Sequence, residues 1–149
     1  MKFTFRTVGL LSVMTASVAL ADKPVARKSL PPAVEKAVAA ETSGATIKNI
    51  SAEECDVKAD GKTCYEVETV VAGKTRDLII DSSGRVAEVE EEVTVESVSP
   101  AVRMSATSGG SIKRIEKVTR DGASTFEVSY AKGSKKASRT FLADGSEKK

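Results

Sequence analysis

The chain has no histidine and no tryptophan, and only two cysteines and four prolines in 149 residues. The missing imidazole excludes most. It is the usual general base of hydrolases and the commonest transition-metal ligand. Without it no Ser-His-Asp or Cys-His nucleophile can be assembled. The sequence also has no Walker-type loop and no G-x-G-x-x-G turn to cradle a phosphate. Two tyrosines and four phenylalanines are the whole aromatic complement, so bases would have little to stack on and nucleic acid is not expected as a partner. These absences predict a protein that is not an enzyme, with no catalytic residues, no cofactor and no metal ligands.

Long apolar runs are missing too, except at the start. Lys2 and Arg6 precede the apolar stretch Val8 to Leu20, and Ala19-Leu20-Ala21 supplies small residues for cleavage. That is the layout of a secretory signal peptide over residues 1–21. The run is shorter than the roughly 20 apolar residues a bilayer demands, and it carries Ser12, Thr15 and Ser17. Cleavage after Ala21 would leave residues 22–149, enough for one domain, with no transmembrane segment and a periplasmic or secreted address.

What remains is nearly neutral but unevenly charged. Residues 22–96 hold 10 basic and 16 acidic side chains, whereas residues 97–149 hold 11 and 5. Complementary halves of one body are the plainer reading; two faces for charged partners are the other. The two cysteines, Cys55 and Cys64, stand either side of Asp60-Gly61, a turn signal. In an oxidising compartment they are expected to form a disulfide across a hairpin. Two thiolates without histidine make a poor zinc site, and the spacing is too long for a C-x-x-C redox pair.

The chain also says one thing twice. Ser29 and Pro31 open a helix with Leu30, Val34, Ala37 and Val38 on one face, and Ser43-Gly44 ends it. Such i, i+3, i+4 spacing is that of an amphipathic helix. "TIKNI" begins extended structure, and "YEVETVV", "RDLIID" and "RVAEVEEEVTV" follow as strands between short turns. The second pass runs in the same order. Ser99-Pro100 starts a helix with Val98, Ala101, Val102 and Ser105 in line, and "SIKRIEKV", "TFEVSY" and "SRTFLADG" follow, without cysteines or a clear last strand. The sequence therefore predicts an α+β fold. Two tandem repeats, residues 29–96 and 97–149, would share one antiparallel sheet with their helices packed on one face, after a flexible segment at 22–28. A single helix on three strands buries too little surface alone, which gives the duplication a physical reason.

The pieces "LPPAVEKAV", "GATIKNI" and "YEVETVVAGKTRDLIIDSSGRVAEVEEEV", in that order, resemble the PepSY-like family, and within it the periplasmic β-lactamase-inhibitor-like (BLIP-like) proteins. The resemblance is strong over residues 29–93 and looser over 97–146. It implies a secreted or periplasmic helix-and-sheet module in tandem, of a kind associated with binding or inhibition. It carries no catalytic motif and names no target.

Two charged stretches remain. Glu88, Glu90, Glu91 and Glu92 suggest calcium or a carboxylate pair, but on a strand Glu91 faces away from the other three, and a solvated outer face is the expected reading. Lys132, Lys135, Lys136 and Arg139 read as a turn and edge strand guarded against aggregation, or as a contact for anionic lipid or polymer. Tyr65, Phe126, Tyr130 and Phe141 fall at core positions of strands. The expected function is a non-catalytic exported binding module for another exported protein or peptide, inhibitory in the case of a peptidase. The alternative is an envelope-associated structural or stress protein on anionic surfaces.

Overall fold

The computed structural model describes residues 23–132 and 135–148; the expected signal peptide lies outside them. Two helices, α1 (Pro32–Glu41) and α2 (Pro100–Thr107), accompany eight strands. The strands are β1 (Lys23–Pro24), β2 (Thr46–Glu54), β3 (Thr63–Val71), β4 (Lys74–Asp81), β5 (Val86–Val93), β6 (Ser111–Arg120), β7 (Ala123–Lys132) and β8 (Lys135–Leu142). They form one antiparallel sheet in chain order, with α1 inserted between β1 and β2 and α2 between β5 and β6.

The two helix starts differ. Ser99 caps α2, its Oγ accepting from the Val102 N–H at 3.3 Å, as a hydroxyl N-cap should. Ser29 caps nothing. It closes a single 3-10 turn, Arg27–Ser29, and α1 begins only at Pro32, behind Pro31. A residue ahead of a proline is driven to extended backbone, so the Pro31-Pro32 pair holds the chain out of the helix past Ser29. The segment expected to be flexible is engaged as well. Lys23 and Pro24 pair with Ala52 and Ser51, and Arg27 grips Glu35 with bonds of 2.9–3.1 Å.

The periodicities place the core. Val34 and Val38 of α1 are fully buried against Ile50, Val67, Leu78 and Ile80. Val102 and Ala106 of α2 pack on Ile115, Val128, Tyr130 and Phe141. Leu78 pairs with Val89, and Val93, four residues along the same strand, pairs with Ile115. Four residues return to the same side of a strand, so both helices cover one face of one sheet. Each fully buried Val or Leu contributes roughly 1.5–3 kcal/mol. Tyr65 and Phe126 pack at the margins of these clusters.

β2 and β6 each carry a bulge at the same point of their sequence phrases, Lys48 in "TIKNI" and Lys113 in "SIKRI". Gly84 and Gly145 lie equally close to their helices: an added Cβ would sit 2.5 Å from the Ala33 carbonyl oxygen and 2.7 Å from that of Ala101, respectively. The strand expected to reach Val95 stops at Val93, where Val95–Ser97 turns as 3-10. Beyond β8 the chain folds back, with Glu147 bridged to Phe141 and the Lys148 N–H on the Thr140 carbonyl at 2.8 Å.

Candidate functional site: the open face of the sheet

Helices cover one side of the sheet, and the alternate residues of every strand form the other. Register assembles carboxylates there. Glu68, Asp77 and Glu90 stand directly opposite one another across β3, β4 and β5. Glu92, Glu116 and Glu127 form a second row across β5, β6 and β7. Like charges directly opposite across strands destabilise a sheet. Arg114 reaches into this field, 2.6 Å from Glu116 and 3.9 Å from Glu92, and bonds Thr75. Burial raises Asp77 from its ordinary carboxylate value, with Glu68 adding to it and a bond from the Thr69 N–H opposing it; burial and then Asp77 and Glu127 raise Glu90; burial also pushes Glu116 up, against the pull of Arg114. One glutamate is not solvated as expected: Glu88 is only 4% exposed and is ion-paired with Arg120.

The face is not flat. Short side chains on β7 and β8 leave a hollow of about 480 Å³ with Val118, Ala123, Thr125 and Thr140 in its lining, bounded by Glu90 and Glu127 and by Arg120 and Lys148. A second hollow, of about 400 Å³, adjoins it at Glu127, towards Arg114, Ser129 and Ser138.

The end of this face is closed by the disulfide loop. Cys55 and Cys64 are bonded, their Cα atoms 5.0 Å apart. Asp81, fully buried, anchors the loop: it accepts from the Asp60 N–H at 3.0 Å, from the N–H and Oγ of Ser83 at 3.0 and 2.6 Å, and from the N–H and Nε of Arg85 at 3.1 and 3.2 Å. Burial alone would raise its pKa, but these bonds outweigh burial and hold it at about 2. Arg85 also donates to the Lys58 carbonyl and approaches Asp121 at 3.5 Å, joining the loop to the β6–β7 turn.

Of the four glutamates singled out in the sequence, Glu88, Glu90 and Glu92 share the open face. Glu91 turns to the helix side, where Arg76 bonds it at 3.3 Å and Glu41 at 3.1 Å. Among the described residues no three acidic or thiol groups are gathered to hold a metal ion, and no helix is long and apolar enough to cross a membrane. Of the basic stretch, Arg139 is tied to Glu147 at 2.5 Å and lies over the Phe141 ring; the side chains of Lys132, Lys135 and Lys136 lie outside the described residues. The contributions of Glu68, Asp77, Glu116 and Glu127 were not anticipated. Their alternation was readable, but only register sets them side by side.

No family model matches the chain, and no curated protein sequence matches it. Solved structures do. A protein from Bacteroides eggerthii, provisionally described as periplasmic, has a TM-score of 0.61 at 17% identity, over 79% of this chain and 85% of its own. A DUF2874 family protein from Bacteroides uniformis has 0.59 at 18%, over 78% and 85%. A BLIP-like protein from Bacteroides fragilis has 0.57 at 18%, over 78% and 82%. The chain shares their fold. At this identity the likeness carries architecture and leaves function to the residues.

Proposed function

We propose that this chain is an exported, non-catalytic binding module that engages another exported protein through the open face of its sheet. The observation that carries this reading is the pair of carboxylate rows, Glu68–Asp77–Glu90 and Glu92–Glu116–Glu127. Three of these carboxylates, Asp77, Glu90 and Glu116, have raised pKa values, so their ionised forms oppose folding. A partner bearing positive charge offsets that cost, and charge complementarity then sets partner choice and approach. In this reading the working protein is two PepSY-like units, residues 29–96 and 97–149, released from a leader at 1–21 into the periplasm or beyond. The matched bulges at Lys48 and Lys113 support the duplication, as do the matched contacts of Gly84 and Gly145. The periplasmic description of the Bacteroides eggerthii neighbour supports the address. If the partner is a peptidase, occupation of its surface by this face would inhibit it.

The test is site-specific photocrosslinking in the cells that make the protein. A crosslinker at Thr125, on the open face, should trap a partner of one defined mass. One at Met104, which is 72% exposed on α2, should not. Adducts at Met104 alone, or at neither position, overturn the proposal. The alternative role on anionic envelope polymers predicts binding to anionic vesicles that weakens as salt rises. The acidity of the open face opposes it there.

A further inference from the structure

The hollow beside Glu127 is more specific than the acidic face around it. Its lining of Val118, Ala123, Thr125 and Thr140 is short and partly apolar, the kind of surface on which the methylene stem of a long cationic side chain rests. Glu90 and Glu127 bound it, and neither makes a hydrogen bond or ion pair with another described residue. Of the two cations on the rim, Arg120 is already engaged with Glu88. Among the described residues that leaves on the rim two carboxylates without an ion pair and one lysine, Lys148, with Arg114 of the adjoining hollow acting on Glu90 only at a distance, so the hollow favours a cation.

We propose that this hollow is an anchor pocket for an arginine or lysine side chain of the partner, its stem against Val118 and Thr125 and its charge between Glu90 and Glu127. The inference rests on the open face being the binding surface and adds the chemistry of what enters it. A guanidinium suits the site best, because its planar fork of donors can serve two carboxylates at once. Arg120 and Lys148 then meet acidic residues flanking that side chain on the partner.

The experiment is a titration of the purified, isotope-labelled protein with N-acetyl-arginine amide, followed through backbone amide signals. The expected result is saturable shifts at Val118, Thr125, Glu127 and Thr140. N-acetyl-citrulline amide, of the same shape but uncharged, should give none. The double variant Glu90→Gln/Glu127→Gln should weaken binding about tenfold or more, and the same spectra report whether it is folded. Glu127→Gln alone should fall between the two. Shifts centred elsewhere, an equal response to citrulline, no saturation, or an unchanged affinity in a folded double variant each overturn the anchor. If a crosslinker at Thr125 still traps a partner, the binding face stands and only the cationic anchor falls. If it traps none, the binding face falls whatever the titration shows.

Discussion

The Asp81 carboxylate accepts the backbone N–H of Asp60 at 3.0 Å, across 21 residues of chain. Asp60 lies inside the disulfide loop, and the Ser82 hydroxyl donates back to its carbonyl at 2.7 Å. Through these bonds the first half of the sheet holds its longest turn against the neighbouring β4–β5 turn. In the second half Asp144 accepts from Ser146 of its own turn, at 2.9 and 2.6 Å.

Asp81→Asn should therefore destabilise the protein by about 2–4 kcal/mol, since it removes a buried charge acceptor and leaves its donors unsatisfied. Urea denaturation at pH 7 checks this. The pH dependence follows from a folded pKa of about 2 against the ordinary 3.8. A depressed carboxylate stabilises fully above its unfolded pKa, and the contribution is lost as pH falls from 3.8 towards 2. That loss is about 2 kcal/mol and should be missing from Asp81→Asn.

The open face predicts the opposite sign. Glu90 and Glu116 have raised pKa values, so their ionised forms oppose folding, and stability falls as pH rises through those values. Glu90→Gln or Glu116→Gln should raise stability at pH 7 by a few tenths of a kcal/mol each, seen as a higher Tm. The gain should shrink at a pH where the native glutamates are protonated. A lower Tm would mean that these carboxylates support the fold.

Replacing both Cys55 and Cys64 with serine should cost about 2–3 kcal/mol, the range expected for freeing a short loop. Asp81 should keep the loop partly in place. The combination with Asp81→Asn should then cost more than the two separate effects together, which a double-mutant cycle measures.

Gly84→Ala and Gly145→Ala should each destabilise by roughly 1–3 kcal/mol, because each adds a methyl at a positive φ against a helix carbonyl. Similar losses at the two sites would fit two equivalent units. A tolerated Gly145→Ala would mean that α2 does not rest on its turn as α1 does.

Much of the architecture was readable because it is local. Val34 with Val38, and Val98 with Val102, declare helix faces by spacing, and Tyr65 with Val67 declares a strand by alternation. Two departures were local as well: the helix, starting behind Pro31 as expected, takes no cap from Ser29, and the 3-10 turn at Val95 shortened β5. The candidate site was mostly illegible because it is nonlocal. Glu116 stands beside Glu92 and Glu127 only through a register that the bulge at Lys113 helps to set. Nothing around Glu88 in the sequence indicates that it will be buried beside an exposed Arg120.

The most direct measurement compares crosslinking at Thr125 before and after neutralising Glu90, Glu116 and Glu127 to glutamine together. The account predicts one defined adduct with the native face, lost when the three charges are removed from a protein that remains folded. An adduct of undiminished yield in the neutralised protein would contradict it.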